Sequence, residues 1–225
     1  AHLSLFGYDP VENNVGRGLL SGFGLDFHLE PGDLAARGNF CTIDDKGNVT
    51  DRRAGRISDE ENKKACKLIL NNIEMPDDVQ LFLRTESQHR VLVVLRGYGL
   101  AEEVEETDPQ ATGVPPNPPR ALIPKAEKSE RVLNKVLDQI KEILKDNHPA
   151  NFVLLRGYSN PLELPTFKDR YKLNALAIAE YPMYRGLAKL VGMETLPPYE
   201  DFEDGIAQLK KFWEDYDFFF FHVKK

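Results

Sequence analysis

Apolar and polar positions along the chain follow a helical period in several segments. The stretch SDEE at residues 58–61 matches a capping box, in which the Glu61 side chain reaches back to the cap, and predicts a helix start. A second long amphipathic helix is predicted after Ser129 as its N-cap. The other predicted helical segments are short pieces within 1–24, then residues 183–191 and residues 202–212.

Short apolar runs between these segments are typical of strands. Residues 90–97 read RVLVVLRG, as expected for a strand buried on both faces, and DDKGN at 44–48 predicts a hairpin turn. The predicted strands are residues 25–29, 34–43, 49–54, 79–85, 89–95, 152–155, 175–179 and 218–223. Strands that alternate with helices predict an α/β fold.

Residues 97–127 differ from the rest because they contain six prolines. Proline removes a backbone donor and fixes φ, so this stretch is predicted to be a long loop without regular structure. Loops of this length in compact domains are often lids, or are mobile.

The chain has 225 residues and a formal net charge of −7, which argues against a general nucleic-acid or anionic-membrane binder. It has no run of about 18 apolar residues, so no membrane span is predicted. We find no signal peptide and expect a cytoplasmic protein in which Cys41 and Cys66 are reduced. The first residue is Ala1, which is compatible with processing or with a piece of a longer protein.

Positive charge is concentrated in the stretch NVTDRRAGRISDEE, where Arg52, Arg53 and Arg56 fall within five residues. Guanidinium groups bind carboxylate or phosphate with two parallel hydrogen bonds, although a single arginine is more often part of a surface ion pair. Arg52 and Arg53 would point to opposite faces of a strand, so we expect one of them, together with Arg56, to reach a shared ligand.

The segments VVLRGYG and VLLRGYS echo each other and place Arg96 and Arg156 at predicted strand ends. Two interpretations stay open at this point. The repeat is a matter of chance or of two similar turns, or the two arginines bind an anion at the edge where α/β sheets bind substrates. The five histidines have no spacing typical of a metal site, and no G-x-S-x-G or P-loop motif is present.

A family resemblance rests on motifs that occur in order along the chain. These motifs are AHLSLFGYDP, GDLAARGNFCTID, DRRAGRIS, HRVLVVLRG, TDP, NFVLLRG, AIAEYPMYRGLAKLVGME and DFFFFHVKK. Together they resemble the archaeal-type cofactor-independent phosphoglycerate mutases over essentially the whole chain. The resemblance implies an isomerase of the alkaline phosphatase superfamily, active in glycolysis and gluconeogenesis. Such an enzyme interconverts 3-phosphoglycerate and 2-phosphoglycerate through a phosphoserine, with two divalent metals (manganese, zinc or magnesium).

The resemblance also implies that this chain is the middle of such an enzyme. The nucleophilic serine is expected upstream of Ala1 and the metal ligands outside the chain, so the chain alone is expected to be inactive. The implied organisation is an inserted substrate-binding α/β domain at 13–165, flanked by phosphatase-like segments at 1–12 and 166–225.

Substrate contacts are carried over from matching motifs. They are Arg37, Arg52, Arg56, Arg96 and Arg156, with Lys172 as a weaker candidate for the phosphate. His2 lies near the expected nucleophile, and helix packing is an equally good interpretation. Asp108 in TDP is expected to orient an arginine or relay a proton, or simply to start a turn before Pro109.

Two other functions remain open from the sequence. One is an anion-binding or interaction module without catalysis. The other is a different phosphate-ester or phosphonate activity on the same scaffold.

Overall fold

The computed structural model describes residues 2–9, 11–13, 15–76 and 78–223, except for the side chain of residue 2. The helices are α1 His2–Leu5, α2 Arg17–Gly24, α3 Asp59–Asn72, α4 Glu127–Leu144, α5 Phe167–Tyr171, α6 Pro182–Leu190 and α7 Phe202–Lys211. The strands are β1 Asp33–Ile43, β2 Val49–Asp51, β3 Gln80–Ser87, β4 Arg90–Arg96, β5 Phe152–Ser159, β6 Ala175–Ala179, β7 Glu194–Thr195 and β8 Phe218–His222.

The chain divides into two compact units. The larger unit comprises Gly16–Leu19 and Glu30–Pro161, and the smaller one Ala1–Val15, Leu20–Leu29 and Leu162–Lys225. These boundaries lie within a few residues of those expected for domains 1–12, 13–165 and 166–225, but residues 20–29 group with the flanking segments.

The larger unit is built on one antiparallel sheet. Its order is β2-β1-β4-β3, and β5 pairs with β1. Alternate residues of β1, such as Leu34, Ala36 and Phe40, pack with side chains of α3 and α4 in one hydrophobic core. The intervening positions Arg37 and Asn39 therefore belong to the opposite face of the sheet.

The proline-rich stretch 97–127 contains only an isolated bridge between Val104 and Ala121 and one 3₁₀ turn, in agreement with the predicted loop. Its backbone is tied to the sheet, because Gly113 N–H donates to Val49 O at 2.8 Å and Thr107 N–H donates to Leu155 O at 2.9 Å. The loop is therefore hydrogen-bonded to the sheet of the larger unit at these two points.

One predicted strand was wrong, and another was predicted too long. Residues 25–29 form no strand, because Leu25 and Phe27 donate back to Ser21 O and Gly22 O at the end of α2. The predicted strand 49–54 ends at Asp51 and is followed by a 3₁₀ turn.

Ser129 does not cap α4, which already begins at Glu127. Its buried hydroxyl instead exchanges hydrogen bonds with the backbone of Ala101 at 2.7 and 2.8 Å. The capping box at Ser58 is confirmed.

The smaller unit contains the parallel sheet β7-β6-β8 together with α5, α6 and α7. The side chains of Leu176, Ile178 and Tyr199 form its core. With an antiparallel and a parallel sheet, the chain has the predicted mixed α/β fold. Cys41 and Cys66 are buried and free. No helix in the described part of the chain is long and apolar enough to cross a membrane.

Candidate functional site

A cavity of about 190 Å³ lies in the larger unit. We call it the arginine cavity. It is lined by Arg17, Arg37, Asn39, Arg52, Arg53, His89, Arg90 and Arg156. Six of these eight residues are arginines and none carries a carboxylate, so the cavity is suited to an anion.

The sheet brings four of the lining residues together by strand register. Arg37 of β1 pairs directly with Arg156 of β5, and Asn39 of β1 pairs directly with Arg90 of β4. Because directly paired residues project from the same face, all four side chains reach the face opposite the helices. The site thus lies on an antiparallel sheet face and not at the carboxyl edge of a parallel sheet, where Arg156 was expected.

Arg52 and Arg53 both line the cavity, which corrects the expectation that they point apart. Because β2 ends at Asp51, the strand alternation does not apply to them. The Asp51 carboxylate accepts the N–H groups of Arg53 at 2.8 Å and Gly55 at 2.7 Å, which turns the chain after the strand. Arg56 follows with a positive φ of 55°, is exposed and is not among the lining residues.

Arg17 reaches the cavity because α2 starts in close contact with the sheet. A Cβ atom added to Gly18 would lie 2.2 Å from Ala35 O, and one added to Gly157 would lie 2.6 Å from Arg17 N. Only glycine permits these approaches. Sequence reasoning missed Arg17, although its position between two glycines was a signal of close backbone packing.

Asp108 contacts two arginines, in agreement with one of the two roles expected for it, the orientation of an arginine. Arg52 donates two hydrogen bonds to its carboxylate, at 2.9 and 2.7 Å, and Arg156 Nη1 lies 3.6 Å from it. Burial raises the pKa of the Asp108 carboxyl, but hydrogen bonds from Arg52 and from Gln110 N–H, together with the nearby positive charges, hold it below its ordinary value. Asp108 is therefore ionised at neutral pH and balances part of the arginine charge.

Arg37 has a carboxylate partner of its own. Its Nη2 lies 3.4 Å from Glu86 Oε1, and both side chains are buried. This pair fixes Arg37 on the sheet face.

Arg96 is not among the residues that line the arginine cavity. It donates two hydrogen bonds of 2.8 Å to Asp33, pairs with Glu30, and lies over the Phe82 ring at 5.0 Å. The repeated Arg-Gly-Tyr motif therefore does not mark equivalent sites. Arg96 ends β4, whereas Arg156 lies inside β5.

The remaining candidates lie in the smaller unit. Lys172 ends α5 in a left-handed conformation and donates to Asp169 O at 2.8 Å. His2 belongs to α1, and its side chain is outside the described part of the structure.

His89 is a site residue that sequence reasoning did not select. It lies in the turn between β3 and β4, is 2% exposed and lines the cavity. Burial, followed by the positive charges of neighbours led by Arg90 and Arg53, lowers the pKa of His89 to about 4. The imidazole is therefore neutral at physiological pH.

The sequence of the chain matches a known protein family. Residues 1–151 match the family model described as 2,3-bisphosphoglycerate-independent phosphoglycerate mutase. The chain belongs to this family. Every residue that lines the arginine cavity except Arg156 lies within the matched part of the chain.

Curated phosphoglycerate mutases align with the entire chain. A probable 2,3-bisphosphoglycerate-independent phosphoglycerate mutase of Thermus thermophilus is 48% identical over 227 residues, which cover 100% of this chain and 56% of the relative. A relative of the same description from Thermotoga maritima is 45% identical over 224 residues, again with 100% and 56% coverage. The chain thus spans about half the length of these relatives.

Solved structures agree on the fold. The cofactor-independent phosphoglycerate mutase of Thermoplasma acidophilum superposes with a TM-score of 0.70 at 28% identity, over 99% of this chain and 64% of that one. The PH0037 protein of Pyrococcus horikoshii gives a TM-score of 0.73 at 24% identity, over 99% and 55%. The second likeness concerns the fold alone.

The family resemblance led us to expect two divalent metals in the complete enzyme. Within the described ranges, no group of three or more His, Cys, Asp or Glu side chains is placed to hold a metal ion. The arginine cavity, with its donor-only guanidinium groups, likewise has no set of metal ligands.

Proposed function

We propose that this chain supplies the substrate-holding part of a cytoplasmic phosphoglycerate mutase that interconverts 3-phosphoglycerate and 2-phosphoglycerate through a phosphoserine. The observation that carries the proposal is the arginine cavity, with six guanidinium groups and no lining carboxylate, in a chain of this family. Its volume of about 190 Å³ is in the range of a small metabolite.

Charge balance supports a ligand with more than one anionic group. Six guanidiniums and no carboxylate line the cavity, and the carboxylates of Glu86 and Asp108 contact Arg37, Arg52 and Arg156. Several guanidiniums around one small cavity suit a ligand with both a phosphate and a carboxylate. Like charges held close together are unfavourable until an anion neutralises them, so ligand binding relieves this repulsion.

Preorganisation is the second contribution of these residues. Asp108 fixes Arg52, while strand register fixes Arg37 and Arg156. Phosphoryl transfer depends mainly on positioning and charge stabilisation. Guanidiniums that are already held in place suit this role because they lose little entropy when the substrate binds. They would hold the anionic ends of the glycerate while it changes orientation.

The chemical step belongs, in this proposal, to residues outside the chain. The nucleophilic serine and the ligands of two divalent metals would come from the rest of the enzyme, since no described residues fit a metal. The metals would supply charge stabilisation at the phosphoryl group. The present chain binds and orients the substrate.

Binding measurements test the proposal. We expect isothermal titration calorimetry to show that 3-phosphoglycerate binds more tightly than glycerol 3-phosphate, which lacks the carboxylate. Arg156→Ala should weaken binding of 3-phosphoglycerate about tenfold or more. The control Arg131→Ala, at an exposed position of α4, should not.

Two results would contradict the proposal in different ways. Equal affinity for both ligands would favour another phosphate-ester activity of the scaffold. Tight binding combined with no mutase activity in the complete protein would favour an anion-binding module.

A further inference from the structure

The backbone around His89 is held by hydrogen bonds from α3 and β1. It follows Gln88, whose φ of 53° forms the tight turn between β3 and β4. The Asn62 side chain on α3 donates to Gln88 O at 2.6 Å and to Arg90 O at 2.9 Å. Phe40 N–H donates to His89 O at 2.7 Å. The backbone on both sides of His89 is therefore fixed.

The His89 ring has unused hydrogen-bonding capacity. Its Nδ1 is buried and has no hydrogen-bond partner among the described residues. A neutral imidazole carries one N–H donor and one nitrogen lone pair that accepts. A buried polar atom without a partner is costly, which suggests that a ligand of the cavity provides one.

The cavity otherwise offers donors almost exclusively. A guanidinium has five N–H donors and no acceptor, so the six lining arginines cannot accept a hydrogen bond from a ligand hydroxyl. Among the lining side chains, only Asn39 and His89 have an acceptor atom. Asn39 has a carbonyl acceptor and an amide donor. The nitrogen of a neutral imidazole that carries no proton is a strong, directional acceptor.

We propose that His89 is a specificity-determining residue that accepts a hydrogen bond from the hydroxyl group of the ligand in the arginine cavity. This inference rests on the proposed function, because it requires an anionic ligand that carries a hydroxyl group. The arginines bind any small molecule with a phosphate and a carboxylate. His89 selects, among such molecules, those that also carry a hydroxyl group.

A pair of ligands isolates this contact. 3-Phosphonooxypropanoate has the same phosphate, carboxylate and three-carbon spacing as 3-phosphoglycerate but no hydroxyl. Calorimetric titration of the complete protein that carries this chain compares both ligands in the wild type, His89→Leu, His89→Asn and Asn39→Leu. Thermal unfolding of each variant is recorded beside the titrations, and His89→Ala serves as the test variant should His89→Leu fail to fold.

The expected result is a loss confined to one ligand. His89→Leu should lower affinity for 3-phosphoglycerate about tenfold while changing that for 3-phosphonooxypropanoate less than about twofold. His89→Asn, which keeps an amide near the position of Nδ1, should recover most of the difference.

Two results would overturn the assignment. Equal losses for both ligands would show that His89 only supports the structure of the cavity. A loss specific to 3-phosphoglycerate in Asn39→Leu, with none in His89→Leu, would move the acceptor role to Asn39. Failure of the wild type to bind either ligand would instead overturn the proposed function, and this inference with it.

Discussion

Arg37 and Arg156 stand directly opposite each other on the neighbouring antiparallel strands β1 and β5. Like charges at directly opposed positions of a sheet destabilise it. Glu86 partly compensates Arg37, and Asp108 partly compensates Arg156. This unfavourable pair lies in the lining of the arginine cavity, where the proposed anionic ligand would stabilise it.

Replacement of Arg156 should separate stability from function. Arg156→Gln removes the charge opposite Arg37, so the melting temperature of the unliganded protein should not fall. In the complete enzyme, loss of a charge-assisted contact should lower kcat/KM by about ten- to a hundredfold, which corresponds to about 1.5–3 kcal/mol. Steady-state kinetics and thermal unfolding measure the two effects.

The control is Arg131→Gln, which removes the same charge from an exposed position of α4. It should change neither quantity. A lower melting temperature with normal kcat/KM in Arg156→Gln would mean that Arg156 stabilises the sheet and does not bind substrate.

Asp108→Asn should destabilise the protein at neutral pH. The variant leaves the partly buried Arg52 guanidinium without its charged partner, which should cost about 1–3 kcal/mol of unfolding free energy. The pKa of Asp108 is lowered in the folded state, so its stabilising effect is present above the ordinary aspartate range and is lost as the pH falls through the lowered value.

Urea unfolding of wild type and Asp108→Asn between pH 7 and 3 checks this expectation. The difference in stability between the two proteins should shrink as the pH falls below the ordinary aspartate range. A difference that is independent of pH would mean that Asp108 acts through packing and not through its charge.

His89 should make stability pH-dependent in mildly acidic solution. Its pKa is lowered from 6.5 to about 4 in the folded protein, so the unfolded chain binds a proton first as the pH falls. Stability is therefore lost between pH 6.5 and about 4, with a slope of at most about 1.4 kcal/mol per pH unit. Urea unfolding of His89→Asn should lack this contribution, and identical profiles for the two proteins would exclude a buried neutral His89.

Gly18→Ala should damage both folding and the cavity. The added Cβ would lie 2.2 Å from Ala35 O, so the start of α2 must move away from β1 and take Arg17 with it. We expect a loss of about 1–3 kcal/mol in unfolding free energy, together with weaker binding of 3-phosphoglycerate. Calorimetry and urea unfolding of the variant measure both.

Gly113→Ala is the matched control for Gly18→Ala. Its φ is 79°, but no atom lies within 4 Å of the added Cβ. It should therefore show only the backbone cost of about 1 kcal/mol and unchanged binding. Unchanged binding in Gly18→Ala would remove Arg17 from the site.

The 225-residue chain alone should bind 3-phosphoglycerate without converting it. In the proposed function, the nucleophile and the metal ligands belong to the rest of the enzyme, so the chain alone should lack the group that accepts the phosphoryl. A coupled assay for 2-phosphoglycerate, run beside a calorimetric titration of the same sample, distinguishes binding from turnover. Formation of 2-phosphoglycerate by this chain would contradict the assignment of the chemistry to other residues.

Local elements were largely predictable because they depend on neighbouring residues. The Ser58 capping box, the apolar run of β4 and the DDKGN turn each carry their structure in a few adjacent positions. The expected strand at 25–29 failed because its backbone groups bond to the end of α2, a competing partner that the pattern does not reveal. Ser129 failed because its hydroxyl found a tertiary partner in Ala101.

The candidate site was predictable only in its chemistry. Concentrated arginine in an acidic chain predicted an anion ligand, and Arg37, Arg52 and Arg156 do line one cavity. Arg96 and Arg156 share the same local sequence, yet Arg96 is bound by Asp33 and Glu30 outside that cavity. Which of two similar arginines lines the cavity depends on residues far away in the chain.

The sequence by itself determined the α/β class, the family and the kind of charge that the site would carry, because propensity, periodicity and motif are local properties. Only the tertiary structure decided that Arg17 and His89 belong to the site. Strand register, glycine-permitted backbone contacts and burial bring them there, and each of these depends on residues that are distant in the chain and adjacent in space.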